Sequence, residues 1–267
     1  MEPKSVVYTA LIGTDEKLQE LRFSPRGNFD YVCFTDNPNL RSASWRIVQV
    51  SPRIPGDSSR SSRHIKLTGA EELSGYDKWL WIDNRISLTK SPEEIFDFLK
   101  GDRVLGLSPH DHRASVSEEI AAVLRFAKDH PFRVREAELM LKAQSPAVLG
   151  QRPYNGTMIL RKNCAQVDEL MQLWWELILR YSKRDQLSFN YAIELTGLKP
   201  FSLPFEISGS AHHRYVPGSE LRSSEKGWKN NAVPSLVRLL VDLTLGARTI
   251  RGIRRLPHQI RELGSGR

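Results

Sequence analysis

The sequence contains no run of about 18 apolar residues, the length that a transmembrane helix requires. It has only two cysteines, Cys33 and Cys164, which lie far apart and suit buried thiols better than a disulfide framework. The first residues, MEPKSVVYTALIG, lack the basic start and the long apolar stretch of a secretory signal. These absences predict a cytoplasmic protein without a membrane span.

Two common phosphate-binding motifs are also missing, because neither a Walker loop nor a G-x-G-x-x-G run occurs. There is no internal repeat and no low-complexity tract. The chain has 267 residues, of which 40% are apolar and 26% charged, as in an ordinary globular protein. A phosphorylated ligand would have to be held by cationic side chains, with or without a metal ion.

Positive charge is what the sequence has in excess. The formal net charge of +8 predicts an acidic partner, such as an anionic lipid surface or a phosphorylated substrate. The charge is concentrated from Val233 onward, where seven arginines accompany only two acidic residues. No aromatic interleaving or known nucleic-acid motif accompanies this basic run, so we do not expect nucleic acid as a partner.

The basic C-terminal segment has apolar residues at helical spacing, among them Leu236, Leu239, Leu240 and Leu243. One interpretation is a helix that packs on the domain with its arginines in solvent. The other is a helix that contacts an anionic membrane surface, which would make the protein peripheral at the inner face of a membrane. We therefore divide the chain into a domain, residues 1–230, and a basic amphipathic tail, residues 231–267.

Strand and helix patterns alternate along the domain. Strands are predicted at 5–13, 29–36, 44–50, 77–83, 103–109, 156–161 and 198–204, and helices at 63–73, 91–100, 115–128, 132–144, 166–182 and 184–195. The stretch 51–62, rich in Ser, Pro, Gly and Arg, is predicted to be a loop. The alternation predicts the α/β class, with a mainly parallel sheet and helices on both faces.

The strand at DKWLWIDNRISL raises a specific question about Asp83. Trp79 and Trp81 alternate with Leu80, so they are predicted to face the opposite side of the sheet. The strand then runs directly into Asp83 and Asn84. Asp and Asn are favoured in turns, but the carboxyl end of a buried strand is also where α/β proteins bind ligands.

Other polar residues follow predicted strands, lie beside one, or belong to a cationic cluster and a helix start, and together they favour the ligand-site interpretation of Asp83. The carboxyl ends of parallel strands meet at one edge of a sheet. The residues expected there are Asp15, Asp36, Arg63, Lys66, His110, Arg113, Asn155, Asp185 and Gln186. Carboxylates, cations and amides together suit a charged ligand with many hydroxyl groups.

The chain resembles the glycosyltransferase-like domain family of the TOD/MUCI type, which is related to glycosyltransferase family eight. The matching pieces include VVYTALIG, DYVCFTD, RHIKL, YDKWLWIDNRISL, SPHDHRASVSEE, MILRKN and LWWELILRYSKRDQLSFNYA, in the family's order, over roughly residues 5–215. The resemblance implies a single GT-A-like domain that uses a nucleotide-linked sugar. The basic tail lies outside it.

The resemblance also implies roles for individual residues. Thr9, Leu11, Asp15 and Asp36 would hold the nucleotide, and Arg63, Lys66 and Asn155 would complete the donor site. Asp83 would bind a divalent cation, Mn²⁺ or Mg²⁺, and His213 would complete the metal site. Arg85 stands where the second metal-binding carboxylate is usual, so Arg85, Arg63 and Lys66 are alternative sources of positive charge.

RDQLSFN resembles a motif whose Asp and Gln face the donor sugar. Asp185 would bind sugar hydroxyls and Gln186 would stabilise the reacting carbon, whereas helix capping is their structural alternative. His110 would serve as general base for an acceptor hydroxyl, or bind an acidic acceptor group together with Arg113. A loop histidine beside a solvated arginine is the alternative interpretation of that pair.

The leading functional hypothesis is a hexosyltransferase-type enzyme of polysaccharide biosynthesis. It would move a sugar from a UDP-linked donor to a hydroxyl of a glycan or glycolipid. One alternative is a metal-dependent hydrolase of a lipid or amide, with zinc bound by His110, His112, His213 and Asp83. Another is a non-catalytic relative that binds carbohydrate or nucleotide. UDP binding with and without Mn²⁺, and zinc content, discriminate among the three.

Overall fold

The structure is a computed structural model that describes residues 4–24, 27 and 29–221. Its strands are β1 (Ser5–Leu11), β2 (Phe29–Thr35), β3 (Arg46–Gln49), β4 (Lys78–Ile82), β5 (Ile86–Leu88), β6 (Leu105–Pro109), β7 (Tyr154–Lys162), β8 (Phe201–Ser202) and β9 (His213–Tyr215). Its α-helices are α1 (Ser58–Thr68), α2 (Glu93–Phe96), α3 (Val116–Arg125), α4 (Pro131–Gln144), α5 (Ala165–Arg180), α6 (Phe189–Thr196) and α7 (Gly218–Leu221). Short 3₁₀ turns span Glu71–Leu73, Asp97–Leu99, Pro146–Gly150 and Asp185–Leu187.

Seven strands form the main sheet in the order β3-β2-β1-β4-β7-β6-β8. β1 is parallel to β2 and β4, and β3 and β8 are parallel to their neighbours. β7 is antiparallel to both β4 and β6, and it pairs Met158 with Ile82 and Asn155 with Ser108. The start of β7 therefore lies at the edge where β4 and β6 end. The predicted α/β class and mainly parallel sheet are confirmed.

The two faces of the sheet carry separate hydrophobic clusters. Trp79 and Trp81 pack with α1, α5 and α6 on one face, whereas Leu80 and Ile82 face the other side. This confirms the predicted alternation along β4. The second face is covered by α2, by the two-stranded sheet of β5 and β9, and by apolar residues of the segment after β1.

Helix α1 begins earlier than predicted, at Ser58 within the segment expected to be a loop. Asp57 explains the difference, because its carboxylate accepts the backbone N–H of Arg60 at 2.9 Å and so caps the helix. The helix ends at Thr68, since Gly69 has φ 75°, a backbone conformation that favours glycine. A 3₁₀ turn, and not further α-helix, follows at Glu71–Leu73.

Three shorter elements also differ from the predictions. The helix expected over 91–100 is one α-helical turn followed by a 3₁₀ turn, and its N-cap is Pro92. The strand expected over 198–204 is reduced to β8, which spans two residues. The small antiparallel sheet of β5 and β9 was not predicted, because three-residue strands carry too short a pattern to detect.

The described residues end at Leu221, so the predicted tail, residues 231–267, and the boundary at 230 lie outside them. Among the helices that are described, none has the length and apolar character needed to cross a membrane. Membrane contact through the basic tail stays a prediction.

Candidate functional site

A cavity of about 220 Å³ opens at the carboxyl edge of the sheet, between α1, the end of β4, the start of β7 and the 3₁₀ turn before α6. It brings together residues from four parts of the chain that the sequence separates widely. Its lining residues are Ser62, Arg63, Lys66, Trp81, Asp83, Asn155, Gly156, Thr157, Arg184, Asp185 and Gln186. Six of the predicted site residues thus share one cavity, namely Arg63, Lys66, Asp83, Asn155, Asp185 and Gln186.

A buried ion pair lies in this cavity. The Nζ of Lys66 is 2.5 Å from the Oδ2 of Asp185, and both side chains are almost fully buried. Burial by itself would raise the pKa of Asp185, but the neighbouring cations Lys66, Arg63 and Arg184 outweigh it and hold that pKa well below the usual range. Asp185 is therefore a carboxylate at neutral pH.

Gly156 permits the ion pair. A Cβ atom at position 156 would lie 2.6 Å from the Nζ of Lys66 and 2.9 Å from the Oδ2 of Asp185. Such distances are shorter than van der Waals contact, so a larger residue at the start of β7 would displace one of the partners. The glycine lets the backbone of β7 approach the two charged groups closely.

Asp83 lies beside this pair and lines the same cavity, and its role as a ligand-binding residue stays a prediction. Its Oδ1 accepts the indole N–H of Trp81 at 2.9 Å, while its backbone N–H bonds to Thr157 O at 2.8 Å. Burial raises the pKa of Asp83; the charge of Lys66 opposes this and that of Asp185 adds to it. A carboxyl group at a strand end, inside a cavity, is placed for ligand contact.

Arg184 and Gln186 complete the cavity wall. The guanidinium of Arg184 donates to the Oε1 of Gln186 at 3.0 Å, which fixes the amide orientation and leaves its NH₂ group for other acceptors. The buried Nε atoms of Arg63 and Arg184 have no hydrogen-bond partner among the described residues. Unpartnered buried donors are costly, and because these two have almost no accessible surface, a ligand in the cavity would have to contact the Nη atoms of the same guanidinium groups.

The helix-capping alternative for Asp185 receives little support from the geometry. The N-cap of α6 is Ser188, which makes no side-chain capping bond. The Oδ1 of Asp185 accepts the adjacent N–H of Gln186 at 3.2 Å, whereas its Oδ2 faces Lys66. The carboxylate is thus committed mainly to the cavity.

His110 and Arg113 lie next to the cavity but do not line it. The Nδ1 of His110 accepts the backbone N–H of His112 at 3.1 Å, and its Nε2 is 4.0 Å from Glu119. Burial and the charge of Arg113 lower the pKa of His110 to about 4, so the imidazole is neutral at pH 7. Because Nδ1 is an acceptor, Nε2 carries the proton, and this arrangement favours binding over general-base catalysis.

Glu119 connects the His110 cluster to the cavity. It is almost fully buried, and its Oε2 accepts the Nε–H of Arg113 at 3.2 Å. Its Oε1 is 4.0 Å from the Nη2 of Arg184, the arginine that lines the cavity. The carboxylate therefore holds two arginines on the same side of the site.

The predicted nucleotide residues lie at the ends of β1 and β2, outside the cavity wall. Both oxygens of Asp36 accept the N–H of Gly13, at 2.9 and 3.1 Å, which joins the two strand ends. Thr9 is buried within β1, and its hydroxyl has no partner among the described residues. Leu11 packs in the core and Asp15 is exposed.

The structure separates His213 from this cavity lining. Its Nδ1 lies 2.9 Å from the Oγ of Ser210 and its Nε2 lies 3.1 Å from the carbonyl of Glu206. Arg85 likewise turns to the C-terminal part of the domain, where it donates to the hydroxyl of Tyr215 at 3.0 Å. Within the described part of the chain, no three His, Cys, Asp or Glu side chains are grouped to hold a metal ion.

Sequence reasoning missed five lining residues, namely Ser62, Trp81, Gly156, Thr157 and Arg184. Arg184 directly precedes the Asp-Gln pair, so its position in RDQLSFN was the available signal. For Trp81 the sequence predicted only which side of the sheet it faces, whereas its indole N–H donates to Asp83. Gly156 follows Asn155, and nothing in the sequence indicates that β7 passes an ion pair at that point.

The family model for the TOD1/MUCI70 glycosyltransferase-like domain matches residues 31–204. The match spans more than half of the 267 residues and includes every residue that lines the cavity. The chain therefore belongs to this glycosyltransferase-like family, as its resemblance implied, and the family supports a glycosyltransferase-type function. A search of curated proteins found no match.

Proposed function

We propose that this protein is a glycosyltransferase that moves a sugar from a nucleoside diphosphate donor, UDP-linked, to a hydroxyl group of a glycan or glycolipid. The observation that carries the proposal is the convergence of Arg63, Lys66 and Arg184 with Asp185 and Gln186 around one cavity at the carboxyl edge of the sheet. Cations suit the diphosphate, and carboxylate and amide groups suit the sugar hydroxyls.

The reaction breaks the bond between the anomeric carbon and the diphosphate oxygen, and the diphosphate leaves with the electron pair. Positive side chains stabilise the negative charge that develops on this leaving group. Arg63 and Arg184 carry guanidinium groups, whose paired N–H donors match phosphate oxygens. The acceptor oxygen forms the new bond to carbon and releases its proton.

Asp185 and Gln186 are assigned to the sugar. The ionised carboxylate of Asp185 accepts hydrogen bonds from sugar hydroxyls, and its Oδ1 is the oxygen not bonded to Lys66. The amide NH₂ of Gln186 donates to a hydroxyl or to the reacting centre, because Arg184 occupies its Oε1. Asn155 and Asp83 also line the cavity, where they limit the size of the sugar.

The acceptor is assigned to the surface beside the cavity, where His110 and Arg113 lie. The guanidinium of Arg113 is about one quarter exposed, so it is available to an acidic group of the acceptor. Neutral His110 would supply a hydrogen-bond donor through Nε2. Thr9, Leu11, Asp15 and Asp36 would support the nucleoside at the ends of β1 and β2.

An assay of UDP release tests the proposal. The protein is incubated with a panel of UDP-hexoses and UDP-uronic acids, with and without mixed glycan acceptors, beside the variants Asp185→Asn and Gln186→Ala. Wild-type protein should release UDP from at least one donor, and each variant should lower the rate at least about tenfold. The exposed helix residue Glu176, changed to Gln, is the matched control. No release from any nucleotide sugar would contradict the proposal.

A further inference from the structure

The charged groups that line the cavity do not balance. Three cations, Arg63, Lys66 and Arg184, face two carboxyl groups, Asp83 and Asp185. One carboxylate is already paired with Lys66 at 2.5 Å. The lining cations therefore outnumber the lining carboxyl groups by one, and a carboxylate behind the wall, Glu119, is shared between Arg113 at 3.2 Å and Arg184 at 4.0 Å. Burial strengthens the electrostatic interactions of these groups.

Two guanidinium groups have donors to spare. The Nε atoms of Arg63 and Arg184 are buried and lack a partner among the described residues. The Nη1 of Arg63 is used locally, donating to the backbone oxygen of Ser59 at 3.0 Å, and the Nη2 of Arg184 donates to Gln186. The shielded Nε atoms are out of reach of a ligand, so an anion with several oxygens would bind the remaining Nη donors, the Nη2 of Arg63 and the Nη1 of Arg184.

The expected divalent cation fits this donor set poorly. Asp83 contributes one carboxyl group, Arg85 is bonded to Tyr215, and both ring nitrogens of His213 lie within hydrogen-bond distance of Ser210 or Glu206. The second nearby carboxylate, Asp185, already has the ammonium of Lys66 as its cation. Mg²⁺ is usually held by one or two carboxylates together with substrate phosphates and water, and among the lining residues Asp83 is the one carboxyl group that is not already paired with a cation.

We infer that the protein's own cations, Arg63, Lys66 and Arg184, form a clamp that holds the donor's diphosphate without a divalent metal ion. The inference rests on the proposed donor site and specifies how that site neutralises its ligand. Lys66 occupies the cationic position beside the two carboxyl groups, and its ammonium has two further N–H donors after its bond to Asp185. The charges of the clamp are in position before the reaction begins, and they stabilise the negative charge on the departing diphosphate.

Calorimetric titration tests the clamp. UDP and inorganic pyrophosphate are titrated into the full chain, once with Mn²⁺ and once with EDTA. The variants are Arg63→Gln and Arg184→Gln, with Arg133→Gln as control, since Arg133 is an exposed residue of α4 that pairs with Glu136. Thermal unfolding of each variant verifies that it is folded.

The clamp predicts UDP affinities in Mn²⁺ and EDTA that agree within about twofold. It also predicts that Arg63→Gln and Arg184→Gln each weaken UDP binding by about tenfold, as expected for one lost charge-assisted bond, while the control changes nothing. UDP binding that occurs with Mn²⁺ and disappears in EDTA would overturn the clamp and leave the donor site intact. Affinity unchanged in both variants would also overturn it.

A different result identifies failure of the donor site itself. If neither UDP nor ADP nor GDP binds in either buffer, the proposed function is contradicted. Pyrophosphate binding in EDTA under those circumstances would still support the clamp, with a ligand other than a nucleotide sugar. Absence of pyrophosphate binding as well would overturn both proposals.

Discussion

The ammonium of Lys66 lies 2.5 Å from the carboxylate of Asp185, although 119 residues separate them in the sequence. The pair joins α1 to the 3₁₀ turn before α6, across a cavity at the carboxyl edge of the sheet. Both side chains are almost fully buried, so water cannot take the place of either partner. The site and the packing of these two elements therefore depend on the same contact.

Removal of one charge from this pair is expected to destabilise the fold. Asp185→Asn leaves the Lys66 ammonium buried without its counter-charge, which should lower the free energy of unfolding by about 3 kcal/mol. The double variant Lys66→Met with Asp185→Asn should recover most of this loss, because the buried ammonium is removed together with its partner. Urea denaturation of the wild type and both variants measures the effect. A double variant as unstable as Asp185→Asn would contradict it.

Gly156→Ala should disrupt ligand binding. The added methyl group would lie 2.6 Å from the Nζ of Lys66, so the ion pair has to shift. We expect UDP affinity to fall by about tenfold or more, because the shift also moves donors of the clamp. Calorimetric titration provides the measurement. Gly75→Ala is the control, since a Cβ there has nothing within 4 Å; equal affinities for the two variants would show that close approach of β7 is unimportant.

His110 should make stability fall as the pH is lowered from about 6.5 to about 4. In the folded protein its pKa is about 4, whereas an unfolded histidine binds a proton near pH 6.5. Protonation of the unfolded chain alone therefore costs stability in that window, by at most about 3 kcal/mol. Above pH 6.5 both forms are neutral and the contribution is fully present.

The measurement is the free energy of unfolding of wild type and His110→Gln between pH 4 and pH 7.5. Other histidines, His64, His212 and His213, also have lowered pKa values, so only the difference between the two proteins is informative. The difference should shrink as the pH falls. Parallel curves would show that His110 titrates normally.

Glu119→Gln should weaken donor binding although the residue does not line the cavity. The carboxylate holds Arg113 at 3.2 Å and stands 4.0 Å from Arg184, so its loss frees the arginine of the clamp. We expect UDP affinity to fall by roughly three- to tenfold. Its exposed neighbour on α3, Glu118, changed to Gln, is the control. An unchanged UDP affinity for Glu119→Gln would show that residues other than Glu119 hold Arg184 in position.

Much of the site could be predicted because its residues follow buried strands. Asp83 ends the apolar run of β4, and parallel strands bring such ends to one edge. Asp185 and Gln186 were expected at this edge, but their roles came from the resemblance of their motif, since a 3₁₀ turn has no strong pattern of its own. The composition of β7 does not indicate that this strand runs antiparallel to β4 and β6.

The sequence could not indicate which residues far apart in the chain would contact each other. Nothing near Lys66 indicates Asp185 as its partner, and nothing near Arg85 indicates Tyr215. Local capping was detectable in principle, because Asp57 precedes a serine-rich stretch that the composition had assigned to a loop. Patterns of a few residues report local geometry, whereas the site is assembled by tertiary packing.

The most direct test is a crystal structure of the protein soaked with UDP. We predict difference density for the diphosphate inside the cavity, with phosphate oxygens about 3 Å from the guanidinium groups of Arg63 and Arg184. Ordered UDP elsewhere on the surface, with this cavity empty, would contradict the assignment of Arg63, Lys66, Arg184 and Asp185 to the donor.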